Sequence, residues 1–348
     1  MDDSPWLTKS RKQDHIEINL KKDVQSTLET GFDHYYFYHN PLPEINLQDV
    51  TTECSFLGKS LQAPILISSM TGGTADGLKI NRNLAEAAQL RGIALALGSG
   101  RAGLDSAEAA KTFQLRKWAP SIPIYANLGA IQLNYGCGVE DCKRVVEMAE
   151  ADALILHLNS LQEALQPEGQ TNFSGLVKKI EEVCKSLKVP VIAKEVGWGI
   201  DANTAKRLID AGVCCIDVAG AGGTSWSEVE KHRNVSDDRI RISSHFQNWG
   251  LPTTEAVKAV CEALPKIPVI ASGGLRKGLD IAKSLALGAS MGGMAGGFLK
   301  AASHSEGAVV KMIDELILEL RIVMFAVGAD NLEQLKQIPV HKRSLNDC

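Results

Sequence analysis

The sequence lacks the features that would suggest a structural metal, a disulfide framework or a polyanionic partner. Its eight cysteines include no CxxC pair and no zinc-finger spacing, and Cys214-Cys215 are adjacent in an apolar run where disulfides are not expected. The 37 basic and 41 acidic residues give a net charge of −4, so no global field favours nucleic acid or an anionic membrane. These absences favour a protein of a reducing cytoplasm that binds any anion locally.

No segment predicts secretion or membrane insertion. The first residues, MDDSPWLTKS, lack the apolar core of a secretory signal. The uncharged stretch Ser284 to Leu299 is rich in glycine and shorter than the roughly 20 residues that cross a bilayer. We therefore expect a cytoplasmic protein whose partners are small molecules, without nucleic acid or membrane.

The chain does contain a regular alternation of short apolar runs and helix-like segments. The hydrophobicity of each run is continuous, as in parallel strands that are buried on both faces. Eight strand–helix units over about 250 residues match a TIM barrel, whereas a doubly wound open sheet more often has about six strands. The predicted fold class is α/β, a (β/α)8 barrel, with strands in PILISSM, IALALGS, PIYANLG, ALILHLN, VPVIAKEV, CIDVAG, PVIASGG and ASMGGMAG.

Two segments lie outside this repeat. Residues 1–60 are polar and irregular, and we expect them to form an N-terminal arm on a single domain that spans residues 1–348. After the sixth run, about 30 residues precede the next helix, whereas such loops usually have two to six. Because this loop contains Trp226, Phe246 and Trp249, we expect it to fold as a lid, at least on ligand binding, rather than remain a disordered insertion.

Polar side chains are concentrated just after the apolar runs, where barrel active sites are built. Runs seven and eight end in SGGLRKG and MAGG, whose glycines let backbone N–H groups approach a phosphate. Lys194 ends run five, either as a cation that faces a cofactor or as a side chain that reaches water. Neighbouring runs end near Ser99, Asn127 and Thr224, polar groups suited to the edge of a flat heteroaromatic ring such as a flavin.

The fourth run ends in HLNSLQEALQPEG, which combines a histidine, several amides and two carboxylates. His157 and Asn159 share one face of the strand, and Gln162 and Glu163 follow in the loop. A carboxylate beside neutral amides suits Mg2+, which prefers one or two carboxylates with substrate phosphate and water. Glu168 is a second candidate that spacing does not separate from Glu163, and a lone histidine has the alternative of a satisfied core residue.

Cations that could bind a diphosphate are scarce at the predicted barrel mouth. Arg101 is the obvious one. Arg11 and Lys12 can join it if the N-terminal arm folds over the mouth, and otherwise they belong to a solvated tail.

Taken together, these motifs resemble the type 2, flavin-dependent isopentenyl-diphosphate isomerases. The similarity runs in order over nearly the whole chain, from RKQDHI through SMTGG, ANLGA, KEVGWG and FQNWGLPT to SGGLRKG. Its most specific parts are HLNSLQEALQPEG, DVAGAGGTSW and the N-terminal RK. One position departs from the family, because the pattern GSQR is Gly98-Ser99-Gly100-Arg101 here, which puts in doubt how firmly this loop is held.

The resemblance implies an enzyme that interconverts isopentenyl and dimethylallyl diphosphate by a 1,3-allylic proton shift, in isoprenoid biosynthesis. The implied cofactors are reduced FMN and Mg2+, with NADPH or another reductant, although no GxGxxG fingerprint for a resident dinucleotide is present. Whether the flavin is the acid and base or only stabilises a cation stays open. A homo-oligomer is also expected, with the aromatic segment FDHYYFYHNP as a possible contact.

The resemblance also implies residue roles. The catalytic residues would be Gln162, His157 and Asn159, and Glu163 would bind the metal. The substrate would contact Arg11, Lys12, Ser99, Arg101 and Gln162. FMN would contact Ser69, Met70, Thr71, Ser99, Asn127, Lys194, Thr224, Gly274, Arg276, Ala295 and Gly296.

Three other functions fit the sequence less well. A flavin hydroxy-acid oxidase needs a further His and Arg at the later strand ends, where only Arg276 is found. A purine-nucleotide dehydrogenase needs a nucleophilic Cys after strand six, where Thr224 and Ser225 stand instead. A non-catalytic flavin or phosphate sensor would not need the metal loop with Gln162 and Glu163.

Overall fold

A computed structural model describes residues 5–343 of the chain, with side chains from residue 12 onward. Its centre is a closed barrel of eight parallel strands, one in each predicted run, which confirms the (β/α)8 fold. The strands are almost entirely buried because aliphatic side chains cover both of their faces. They are β1 Ile65–Ile67, β2 Ala94–Ala96, β3 Ile124–Gly129, β4 Ala153–His157, β5 Val191–Lys194, β6 Cys215–Asp217, β7 Val269–Ser272 and β8 Met291–Met294.

Strand pairing follows chain order around the barrel, and β8 closes it against β1. The register aligns the polar strand ends with one another. His157 of β4 is opposite Lys194 of β5, and Lys194 is opposite Asp217 of β6. The side chains predicted to carry chemistry therefore meet at one end of the barrel.

Helices surround the barrel and cover its outer apolar surface. The first long one is capped by the Thr74 side chain, which accepts from the Gly77 N–H, and it ends at Gly92 in the left-handed conformation. The helices are Ala75–Arg91, Arg101–Asp105, Ala107–Ala110, Val139–Ala149, Ser160–Leu165, Leu176–Ser186, Ala202–Asp210, Trp226–Arg233, Asp237–Ser244, Thr253–Ala263, Gly278–Ala286, Gly296–His304, Glu306–Val327 and Leu332–Leu335, with short 3-10 turns at Phe32–His34, Lys111–Phe113 and Ala130–Asn134.

A β-hairpin closes the amino-terminal end of the barrel. Its strands, Cys54–Phe56 and Lys59–Leu61, place Phe56 and Leu61 in an apolar cluster with Tyr125 inside the barrel. Burying each such large side chain contributes about 1.5–3 kcal/mol. With this end filled, the opposite end is the one available for a ligand.

We expected an irregular N-terminal arm, but the arm begins with the helix Pro5–Lys21. The sequence of this helix is polar and has almost no apolar periodicity. Among its described side chains, Ile16 is the deeply buried one. The hydrophobic pattern therefore could not predict the helix. Tertiary contact with the helix Trp226–Arg233 supports it instead. Farther on, Tyr35–Phe37 pairs antiparallel with Val340–Lys342.

The long connection after β6 is folded, in agreement with the prediction for this loop. It forms the helices Trp226–Arg233 and Asp237–Ser244, and Phe246 and Trp249 pack edge to face with ring centroids 5.9 Å apart. Within the described residues, no helix is both long enough and apolar enough to span a membrane.

Candidate active site

A cavity of about 630 Å³ lies at the carboxyl ends of the strands. Every predicted site residue whose side chain is described lines it, whereas the side chain of Arg11 lies outside the described part. The lining residues from that set are Lys12, Ser69, Met70, Thr71, Ser99, Arg101, Asn127, His157, Asn159, Gln162, Glu163, Lys194, Thr224, Gly274, Arg276, Ala295 and Gly296. The fold thus brings the predicted residues together, while the role of each one stays a prediction.

One side of the cavity is formed by the glycine-rich ends of β7 and β8, where the sequence predicts a phosphate site. Gly274 has a φ of +78°, and a Cβ there would lie 2.5 Å from the carbonyl oxygen of Gly222, so glycine is required. A carboxylate oxygen of Asp280 accepts from the Arg276 N–H at 2.9 Å and holds this loop. After the neighbouring strand β8, a Cβ on Gly296 would meet nothing within 4 Å, so the first turn of the helix Gly296–His304 is open to the cavity.

A hydrogen-bonded chain of three side chains crosses the cavity wall from β4 to the end of β1. The Asn127 amide donates to Ser69 Oγ at 2.9 Å, and its oxygen lies 2.7 Å from His157 Nδ1. Because the amide oxygen only accepts, Nδ1 of His157 is the donor in this contact. His157 is therefore both hydrogen-bonded and a cavity residue, so it is not solely a core histidine.

Lys194 does not reach bulk water. Its side chain is only 10% exposed, and Nζ lies 3.2 Å from Oδ2 of Asp217 and 3.4 Å from Oγ of Ser272. Of the two alternatives left open by the sequence, the side chain that reaches water is not the one found, because Lys194 lines the cavity instead; that it faces a cofactor stays a prediction.

Glu163 presents its carboxylate among amides. Oε1 accepts from the Asn159 amide at 2.9 Å, and Oε2 accepts from the Gln166 amide at 2.6 Å. The Asn159 Oδ1 atom is buried without a hydrogen-bond partner among the described residues. No group of three or more His, Cys, Asp or Glu in the described part could form a metal cage. A hard cation bound to Glu163 would therefore complete its shell mainly with ligand and water oxygens.

Glu168, the other acidic candidate, has a different partner. It does not line the cavity, and its Oε1 accepts from Arg233 at 2.6 Å. The structure thus separates two carboxylates that spacing could not rank.

Three functional candidates, Glu230, His15 and Arg233, were missed in the sequence. The fully buried Glu230 carboxylate accepts from Arg233 at 2.7 Å and lies 3.1 Å from His15 Nε2. Burial alone would raise the pKa of Glu230, but the hydrogen bond and charge of His15 and the charge of Arg233 lower it to about 2. Nothing in the segment WSEVEKHR marks this glutamate, because its partners come from distant segments.

The helical arm places Lys12 at the mouth of the cavity. Lys12 Nζ donates to the carbonyl oxygen of Ser99 at 2.8 Å, and Arg101 donates to the side-chain oxygen of Gln132. The unusual Gly100 has an ordinary φ of −75°, and its N–H donates to the Asn127 carbonyl at 2.7 Å. The loop is thus held through its backbone, without the glutamine side chain of the family pattern.

Comparisons with known proteins agree with this geometry. The family model for FMN-dependent dehydrogenases matches residues 144–342. An isopentenyl-diphosphate delta-isomerase from Rickettsia africae is 52% identical over 330 residues, which cover 95% of this chain and 96% of that protein. One from a Nostoc species is 51% identical over 330 residues, with 94% of each protein covered.

Solved structures of flavin enzymes share the architecture. A mandelate oxidase mutant with (S)-mandelic acid has a TM-score of 0.66 at 17% identity, covering 99% of this chain and 100% of that one. An (S)-mandelate dehydrogenase has a TM-score of 0.69 at 16% identity, covering 97% and 99%. At such low identity these likenesses show the barrel fold alone.

Proposed function

The chain belongs to the family of type 2, FMN-dependent isopentenyl-diphosphate isomerases, and from this membership we propose that it interconverts isopentenyl and dimethylallyl diphosphate with reduced FMN and Mg2+. The observation that supports the proposal most is the position of Gln162 and Glu163 in the same cavity as the phosphate-binding glycines. An FMN protein without isomerase activity has no need for that pairing.

The cavity fits FMN in its chemistry. Gly274, Arg276 and Gly296 would hold the phosphate, since all three line the cavity at the adjoining ends of β7 and β8, where backbone N–H groups and a guanidinium can meet an anion. Thr71 Oγ1 is buried without a hydrogen-bond partner among the described residues, as expected of a hydroxyl whose partner is a ligand. Lys194 would lie against the ring system. When bound, reduced FMN supplies a group that can exchange a proton with an unactivated carbon, which no side chain here does readily.

The chain's own residues would bind and orient the diphosphate. Lys12 and Arg101 would neutralise its charge, and Arg11 would add to them if its side chain also reaches the mouth. Glu163, whose carboxylate the Asn159 amide holds by a hydrogen bond, would bind Mg2+, and the diphosphate would supply further oxygen ligands. We also propose that residues 1–348 act as one FMN-binding domain with 1–60 as its arm, because Lys12 lines the cavity with the barrel residues.

Gln162 would orient the reacting carbons. Its amide nitrogen donates to Glu230 at 3.0 Å and its amide oxygen accepts from Asn159 at 3.2 Å, so the side chain is held at both ends. Apolar neighbours in the lining, among them Met70 and Trp226, would keep water from a cationic intermediate. One proton is added to the terminal alkene carbon and one is removed from the allylic carbon, so the reaction has no net redox change.

The test is an anaerobic incubation with isopentenyl diphosphate, FMN, Mg2+ and NADPH in D2O. We expect dimethylallyl diphosphate that carries solvent deuterium by mass spectrometry, and loss of product without Mg2+, without reductant or in Glu163→Gln. Glu168→Gln is the matched control, since it makes the same change in the same loop outside the cavity. A protein that binds and reduces FMN yet forms no product would refute the proposal and leave the oxidase and sensor functions to be tested.

A further inference from the structure

The function proposed so far uses Lys194 but gives no role to the buried carboxylate with which it pairs. The carboxylate of Asp217 at the end of β6 is 0% exposed and does not line the cavity. Its Oδ2 lies 3.2 Å from Nζ of Lys194, and its Oδ1 accepts from the hydroxyl of Ser272. Lys194 and Ser272 do line the cavity, so Asp217 contacts two residues of the wall from behind.

Stability alone is a weak reason for this arrangement. Removing two charges from water costs about as much as their attraction returns, and an apolar pair of the same size is often equally stable. The strand register shows that the barrel can place an aliphatic side chain at this level, since Ile270 of β7 is opposite Asp217. An aspartate at this place therefore points to a role exerted through Lys194.

We propose that Asp217 is a positioning residue that holds the Lys194 ammonium against the cavity and offsets its charge on the bound flavin. A full positive charge beside the ring would stabilise the electron-rich, reduced form and weaken its basicity. A cofactor that has to take a proton back from carbon works better when that charge is partly compensated. Asp217 would thus limit the preference of the site for reduced over oxidised FMN.

The inference rests on the FMN binding proposed above and extends it to a residue that touches neither cofactor nor substrate. The experiment is a set of anaerobic titrations of the apoprotein with oxidised and with reduced FMN at pH 7. For Asp217→Asn, which keeps the size of the side chain, we expect the ratio of the two dissociation constants to move about tenfold toward reduced FMN. For a two-electron couple this equals a rise of about 30 mV in midpoint potential.

A double-mutant cycle separates this role from a structural one. If Asp217 acts through Lys194, Asp217→Asn has no effect on the ratio in a Lys194→Met background. Asp152→Asn is the matched control, because Asp152 is also paired with cations but lies at the opposite end of the barrel, and it should leave the ratio unchanged. The inference would be overturned if Asp217→Asn left the preference for reduced FMN unchanged or lowered it. A change in this preference that persists without Lys194 would overturn it as well.

Two further measurements keep the test decisive. If Asp217→Asn does not fold, Ser272→Ala replaces it. Loss of the hydroxyl donor leaves the carboxylate charge acting more fully on Lys194, so the preference for reduced over oxidised FMN should fall at least about twofold. An unchanged preference in this variant would count against the inference. A wild-type protein that binds FMN in neither state would refute the proposed function itself. Normal binding with an unchanged ratio in the variants would refute only the role of Asp217.

Discussion

Gln162 of the cavity lining contacts the buried Glu230 behind it: Nε2 of Gln162 donates to Oε1 of Glu230 over 3.0 Å, across 68 positions of sequence. The same carboxylate oxygen lies 3.1 Å from Nε2 of His15. The loop after β4, the insertion after β6 and the N-terminal helix therefore converge on one carboxylate. The orientation of Gln162 depends on all three segments.

Replacing Glu230 by Gln should impair turnover. The variant keeps the size of the side chain but loses the charge that holds Gln162 and His15, and a misplacement of about 1 Å can cost about 100-fold in rate. We expect kcat to fall about 100-fold, with FMN affinity nearly unchanged, in steady-state assays. Glu228→Gln is the control, since Glu228 is a buried glutamate on the same helix that pairs with Lys231 outside the cavity. Equal activity of the two variants would contradict this role for Glu230.

Glu230 should also make stability depend on acid pH. Its pKa of about 2 in the folded protein lies below the ordinary value of 4.5, so the unfolded chain binds more protons between these two pH values. The contribution, about 3 kcal/mol, is fully present above the unfolded pKa and is lost as the pH falls toward 2. Urea unfolding from pH 6 to pH 2 should show a shallower acid dependence in Glu230→Gln than in the wild type. Parallel curves would show that Glu230 is not the responsible group.

Lys12→Met should weaken substrate binding more than FMN binding. The ammonium group lies at the cavity mouth and donates to the Ser99 carbonyl at 2.8 Å, where it can also meet a diphosphate. A charge-assisted hydrogen bond of about 1.5–3 kcal/mol corresponds to an increase in KM of at least about tenfold. Lys21→Met is the matched control, because Lys21 lies on the same helix and pairs with Glu17 in solvent. A KM that rises equally in both variants would point to a general effect on the helix.

Asp152→Asn should destabilise the barrel without affecting the site. Asp152 pairs with Lys59 at 2.8 Å and with Arg116 at 2.5 Å, next to the hairpin that closes the amino-terminal end. Burial would raise the pKa of Asp152, but the hydrogen bonds from Lys59, the Ile124 backbone and Arg116 lower it. Loss of the charge weakens both pairs, of which the one with Lys59 is half-exposed, so we expect about 2 kcal/mol less stability to urea with kcat unchanged. A matching loss of FMN affinity would show that the two barrel ends are coupled.

Local patterns in the sequence were enough to predict the barrel and the strand ends that line its cavity, and the family resemblance added individual residues to that set. Strand positions depend on runs of adjacent aliphatic residues, and a parallel barrel gathers whatever follows each run at one end. Residues such as Asn127, Lys194 and Gly274 could therefore be proposed before any coordinates. The N-terminal helix could not, because its sequence has no apolar stripe and the helix is supported by contact with a distant segment.

Short stretches of neighbouring residues specify the eight strands, the glycines after β7 and β8, and the loop that carries Gln162 and Glu163. Three relationships arise from the folded chain instead: Glu168 pairs with Arg233, Glu230 holds Gln162, and Asp217 pairs with Lys194. These relationships depend on the closure of the barrel and on two distant segments that fold over its mouth. Charge and hydrogen-bond energies are set by distance in space, and separation along the chain does not reveal that distance.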